Sequence, residues 1–293
     1  PLLGALVVQG GPGTGKTVVA LHRAAYLLYT HRFPLEGQGV LVVGPNKVFL
    51  TYIEQVLPSL GEAGVHLAVL ADLLPRVTVR GFDSEEVAKI KGNSVMKDVI
   101  RNAVKDRERC LRNDLVVGYG LQKLRLRVNE SSRIVSEAKR RYKHHNSARD
   151  YVIDSVFDAL AASGRGSDIN PVKLKADLGR TIEIREVLDW MWPSLTSEHL
   201  IHDLFGSKAL LLSAGSSHFR REDILKLHRD RSSHASNVLW TKHDAPLLDE
   251  AQEVLGPRTA YKEEETIRTY GHIVVDEAQD LSPMELRMLK RRS

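Results

Sequence analysis

The segment GGPGTGKT (Gly10–Thr17) restricts the fold of this chain more than any other stretch of its sequence. It follows a short apolar run, Ala5–Val8, and precedes apolar residues at Val19, Ala20, Leu21, Ala24, Leu27 and Leu28, which recur at helical spacing. That order predicts a strand, a glycine loop and a helix. Gly10, Gly15, Lys16 and Thr17 satisfy G-x-x-x-x-G-K-[ST]. Glycines let the backbone turn successive N–H groups inward, and the following helix offers unpaired N–H groups and a positive dipole end, so the loop is suited to phosphate oxygens. On this pattern Lys16 reaches the β- and γ-phosphates of a nucleotide and the Thr17 hydroxyl ligates Mg²⁺.

The flanking sequence extends the same layer pattern. Val40–Val43 is a second apolar run, and Val48, Phe49, Tyr52, Ile53, Val56 and Leu57 line one face of a helix closing near Pro58. Val65–Leu70 is a third strand candidate, and His272–Asp280 (HIVVDEAQD) is a short strand running into carboxylates. Strands alternating with helices imply an α/β fold with a parallel sheet. Between these ends the character changes. Asp83 with Glu86 resembles a capping box opening a helix through about Asp106, and Leu121–Val128 alternates like a half-exposed strand. Helical patterns then dominate from Ser132 to Leu227, broken at Gly164–Pro171 and Ser213–Ser217, so the middle reads as a mostly helical insertion. No internal repeat or low-complexity tract interrupts it.

A phosphate loop binds nucleotide, but hydrolysis needs an acid for the magnesium and a group that orients or deprotonates water. Asp276 lies at a strand end, where a parallel sheet presents its carboxyl ends to a ligand, and Glu277 beside it is the candidate base.

Composition narrows the class. With 293 residues, 42% hydrophobic and 27% charged, the chain has material for a core and no apolar run near eighteen residues, so a cytoplasmic protein without membrane contact is expected. One cysteine, Cys110, excludes disulfide frameworks and multi-cysteine metal sites and is read as structural. The net charge of +5 is local: residues 101–150 hold a larger basic excess than the whole chain, leaving the remainder slightly acidic. Within that window Lys139, Arg140, Arg141 and Lys143, beside Tyr142, are read either as a contact for nucleic acid or an acidic protein surface, or as a solvated helix face. His144 and His145 lack the spacing of a metal pair, and Trp190, Trp192 and Trp240 are read as core or interface anchors.

QGGPGTGKT (Gln9–Thr17) paired with DEAQD (Asp276–Asp280) resembles motifs I and II of superfamily 1 helicases of the UvrD/Rep type. VVQGGPGTGKTVVALHRAAYLLYTHR, VLVVGPNKVFLTYIEQVLPSLGE, VVDEAQDLSPMELRML and, in the middle, WPSLTSEHLIHDLF and WTKHDAPLLDEA are similar to the HelD proteins of actinobacteria, helicase-like ATPases that bind RNA polymerase. The resemblance implies a RecA-like domain split between residues 1–75 and 236–293, with an insertion at 76–235. It implies that Gly10, Gly11, Pro12, Gly13, Thr14, Gly15, Lys16 and Thr17 hold ATP, Thr17 and Asp276 hold Mg²⁺, and Lys16, Glu277 and Gln279 serve catalysis, Gln279 by sensing the γ-phosphate or the attacking water. Gly44–Phe49 aligns with motif Ia, which touches single-stranded DNA in true helicases. The implied function is polymerase release from DNA or RNA driven by ATP; the alternatives are a conventional DNA helicase or translocase, and a steric polymerase-binding module with ATP as a conformational lock. The proline start and an end inside an apparent helix are expected to be cuts. A second RecA-like domain would lie beyond Ser293, and the chain alone is expected to hydrolyse ATP poorly.

Overall fold

A computed structural model describes residues 4–11, 13–30, 39–56, 65–165 and 169–293. They form two compact units. One comprises Pro1–Ser94, Leu239–Pro246 and Ile267–Ser293; the other comprises Val95–Val238 and Leu247–Thr266.

The first unit is built on a parallel sheet. The phosphate loop leads into α1 (Lys16–Thr30), followed by β1 (Val40–Val43), α2 (Lys47–Val56) and β2 (Val65–Ala68). β1 is central, paired with β2 on one side and with the late strand 272–275 on the other. Its four residues are buried, as a strand covered on both faces requires. Val40 and Val42 pack with Leu21, Ala24, Leu27 and Ile53 of α1 and α2, while Leu41 and Val43 pack on the opposite face with Ala68, Tyr270 and Leu289. Each of the valine, leucine and isoleucine side chains among them contributes about 1.5–3 kcal/mol on burial. The α/β layering expected from the sequence is therefore present.

The run Ala5–Val8 is a correction. It forms no strand, and Leu6, Val7 and Val8 are exposed. Apolar composition marks a propensity; only pairing with a neighbouring strand makes a strand, and none of the described strands pairs with this run. Leu57, Pro58 and Pro12 lie outside the described residues.

After β2 comes β3 (Val79–Gly81) and then α3 (Glu85–Gly92) and α4 (Met96–Lys105). The single helix expected from Asp83 to Asp106 is two helices, because Asn93 is extended. Gly92 is in close approach to Ser282, where a Cβ would come within 2.7 Å of the serine Cβ. Nor does Asp83 cap α3: Ser84 accepts from the Val87 N–H, and Asp83 turns inward.

The second unit holds α4, a hairpin of β4 (Leu115–Tyr119) and β5 (Gln122–Leu126), and the helices α5 (Val128–Arg141), α6 (His145–Ala162), α7 (Pro171–Leu178), α8 (Ile182–Met191), α9 (Ser197–Phe205), α10 (Lys208–Gly215) and α11 (Arg221–Leu225). The hairpin turns on Gly120 at φ +59°, in the first central position of a two-residue loop, where glycine is favoured. One core joins Leu124, Leu126, Val152, Val156, Phe157 and Trp192.

The chain then forms β6 (Trp240–Thr241), α12 (Ala245–Leu255), α13 (Lys262–Glu265), β7 (His272–Val275) and α14 (Pro283–Lys290). Residues 76–94 belong to the sheet unit rather than to the helical one, because β3 pairs in parallel with β6 and Lys91 binds Asp83 at 2.7 Å and Asp244 at 2.8 Å. Residues 247–266 belong to the helical unit, where Asn146 donates to the carbonyls of Leu195 and Gly256. Among the described residues, no helix is long and apolar enough to cross a membrane.

Candidate nucleotide site

The loop and the acidic strand end meet within the sheet unit. Gly13 and Gly15 hold φ of +73° and +81°, a region that strains any other residue. A Cβ on Gly10 would come within 2.7 Å of the Thr14 hydroxyl oxygen, which itself donates to the Gly11 carbonyl at 2.9 Å. Lys16 opens α1 and folds back across the loop, its ammonium donating to the carbonyls of Gly10 at 2.9 Å and Gly11 at 2.8 Å. The amides at the start of α1 and the Lys16 charge thus share one small volume, an anion site by backbone geometry and charge together.

β7 places the acids. Its register against β1 sets Val275 opposite Val43, and the Asp276 N–H donates to the Val43 carbonyl at 3.0 Å, pinning Asp276 just past the strand end. There the Thr17 hydroxyl lies 3.3 Å from each carboxylate oxygen of Asp276. An ionised carboxylate only accepts hydrogen bonds, so this hydroxyl–carboxylate pair beside a phosphate loop fits a hydrated magnesium ion carried by a nucleotide. Bound there, Mg²⁺ would neutralise phosphate charge.

Glu277 is, among the described residues, the single non-glycine at positive φ, at φ 51° and ψ 41°. A left-handed conformation costs a side-chain-bearing residue about 1–2 kcal/mol. Strain of this kind gathers where a side chain must be aimed. The Gln279 amide donates to the Glu277 carboxylate, fixing its direction, and both residues are exposed. Ser282 then starts α14 with a capping box, accepting from the Glu285 N–H at 3.3 Å while the Glu285 carboxylate accepts from the Ser282 N–H at 2.7 Å. Nothing in the sequence signals the left-handed turn, since glutamate is not a residue that favours it.

The segment Gly44–Phe49 leaves β1 at the same sheet end. Gly44 donates to the Ala68 carbonyl at 3.2 Å, and Asn46 caps α2 by accepting from the Phe49 N–H at 2.9 Å. A Cβ on Gly44 would lie 2.7 Å from the Phe49 ring. Val48 is exposed beside this turn.

The basic window of the helical unit is largely answered by its own acids. Lys139 pairs with Glu108 at 3.3 Å, Arg140 and Arg141 with Glu137 at 3.2 and 3.3 Å, and Lys143 with Glu253 at 3.4 Å. Tyr142 tilts against Tyr151, their centroids 5.7 Å apart. His145 is buried, contacting Glu108 and the Pro193 carbonyl and stacking on Trp192, while His144 contacts the Glu253 carbonyl. No group of three or more His, Cys, Asp or Glu residues among those described could hold a metal ion. Trp192 and Trp240 are buried; Trp190 is partly exposed, with the guanidinium carbons of Arg109 and Arg112 each 4.4 Å from its ring centre. Cys110 is exposed and unbonded to sulfur.

Glycine loop, parallel sheet and strand-end acid together define a P-loop ATPase of the helicase-like class, with the fold of a RecA-like domain. The sequence matches the AAA domain family over residues 4–292, and the chain belongs to that family, which is found in UvrD/Rep-like superfamily 1 helicases. No curated protein matches it.

Proposed function

We propose that this chain is the nucleotide-binding part of a helicase-like motor that engages RNA polymerase in the cytoplasm and promotes its release from DNA or RNA, using ATP binding and hydrolysis. The observation that carries the motor half of this reading is the meeting of Thr17 and Asp276 at 3.3 Å across 259 positions of sequence, the residues of the helical unit falling between them in the chain. The polymerase half rests on the resemblance of the segments around both motifs and of Trp192–Phe205 and Trp240–Ala251 to HelD proteins. In this reading Lys16 and the loop amides bind the triphosphate, Thr17 and Asp276 hold its magnesium, and Glu277, aimed by Gln279, takes a proton from the attacking water. A second RecA-like domain of the same protein completes the site.

The test is release of RNA polymerase from a preassembled nucleic-acid complex by the protein that carries this chain, with and without Lys16→Ala. Loss of release with Lys16→Ala is expected. Release that survives the substitution would make the ATPase dispensable and favour a steric module, and catalytic unwinding of a tailed duplex without polymerase would favour a conventional helicase.

A further inference from the structure

Within the helical unit, α6, α7 and α8 enclose an open cleft of about 770 Å³, within the range of ligand sites. Its rim carries four cations, Arg149, Lys175, Arg180 and Arg185, against one lining carboxylate, Asp189. Two of the four are satisfied internally: Arg149 pairs with Asp189 at 2.8 Å and donates to the Trp192 carbonyl, and Lys175 pairs with Asp154 at 2.6 Å. Arg180 and Arg185 are exposed and form no ion pair among the described residues. Between the cations the lining includes the half-buried Ile153 and Pro193 and, buried in the core of the unit, Phe157 and Leu188. Gly179 ends α7 at the cleft, and a Cβ there would come within 2.5 Å of the Lys175 carbonyl, so a side chain at this position would force the backbone to shift.

We propose that this cleft docks an acidic segment of another protein, seating an apolar side chain against Ile153 and Pro193, the half-buried apolar residues of the lining, with flanking carboxylates on Arg180 and Arg185. Charge complementarity identifies the occupant. Discrete carboxylates can be spaced to avoid Asp189 and Asp154, whereas a phosphodiester backbone would bring a continuous row of charge against both. The single aromatic ring of the lining, Phe157, is 1% exposed, so it offers no face on which a base could stack. An apolar patch rimmed by arginines matches the anatomy of protein interfaces, where buried apolar anchors supply affinity and rim charges supply orientation. The proposal rests on the helical unit alone, so failure of the nucleotide site or of the polymerase reading leaves it standing.

Fluorescence anisotropy of the whole chain tests it, with a labelled peptide alternating glutamate and leucine, a polyglutamate peptide of equal charge, and an oligothymidylate as probes. The glutamate–leucine peptide is expected to bind more tightly than the other two, and Arg180→Glu with Arg185→Glu to weaken it at least about tenfold. The control pair Lys123→Glu with Arg133→Glu, on exposed positions away from the cleft lining, makes the same change in net charge and is expected to alter binding less than about twofold. Circular dichroism verifies that both variants stay folded. Tighter binding of the oligothymidylate, equal loss in both variants, or no measurable peptide binding would each overturn the proposal.

Discussion

Replacing Glu277 by glutamine is expected to slow ATP hydrolysis by about a hundredfold or more while leaving nucleotide affinity nearly unchanged, because it removes a proton acceptor and preserves shape. The backbone at this position sharpens the test. Glu277 holds a left-handed conformation that glycine adopts freely. Glu277→Gly is therefore expected to raise thermal stability slightly, by roughly 1 kcal/mol, while losing hydrolysis as fully as Glu277→Gln. Stability gained as activity is lost would mark a position strained in the service of its carboxylate. Single-turnover hydrolysis and thermal melts of the protein with its complete motor read both effects. Unchanged hydrolysis in Glu277→Gln would remove Glu277 from the chemistry.

The second large effect is on stability. Lys91→Ala is expected to cost about 3–5 kcal/mol, because it strands two buried carboxylates without their cation. The side chains of Lys91, Asp83 and Asp244 are 4%, 6% and 0% exposed. Thr241 joins them, its hydroxyl donating to Asp83 at 2.6 Å and accepting from Lys91 at 3.2 Å and from the Asp244 N–H at 3.2 Å. His243 adds a contact to Asp83 at 3.0 Å. A loss of that size is a large part of the stability of an ordinary domain. Lys89→Ala is the contrast: its partner Glu85 is 2.7 Å away, yet both side chains lie in water, and no measurable change is expected. With two compact units in one chain a single unfolding midpoint is ambiguous, so amide exchange at Thr241, whose N–H donates to Asp244 at 3.0 Å, is the sharper readout.

The same cluster sets an acid dependence. Burial works against ionisation of Asp83, but the hydrogen bonds from His243, Lys91 and Thr241, with the Lys91 charge, outweigh it and hold the carboxyl well below its usual range. A group whose folded value is depressed contributes stability above its unfolded value, about 3.9 for aspartate, and loses it as pH falls toward the folded value. Stability of the sheet unit is thus expected to decline below about pH 4, and Lys91→Ala to make that decline shallower.

How legible these features were in the sequence depended on whether the chemistry lay along the chain or across it. The glycine loop and β1 could be read directly, because a phosphate cradle and a strand buried on both faces each need a particular run of residues, and the half-buried β7 could be read from its aliphatic run Ile273–Val275. The position of Asp276, just past the end of that run, could be read with it. Asp83 misled: an acid three residues before Glu86 reads as a helix cap, and only the fold shows it turned inward to a lysine eight residues on, which it shares with Asp244, and to Thr241 and His243 far along the chain. Ala5–Val8 misled in the opposite sense, since a run of aliphatics does not name the strand it pairs with. The conspicuous cations Lys139–Lys143 are partnered by Glu108, Glu137 and Glu253, whereas the cations facing the cleft come singly from 149, 175, 180 and 185 and form no run at all.

The most direct test of the site is the magnesium dependence of nucleotide binding. A fluorescent ATP analogue titrated into the chain with and without Mg²⁺ is expected to bind about tenfold or more tightly with the ion, and Thr17→Ala and Asp276→Ala each to remove that gain, with the double variant no worse than either alone. Binding of equal strength in all four proteins, unaltered by Mg²⁺, would contradict the assignment of Thr17 and Asp276 to a magnesium–nucleotide site.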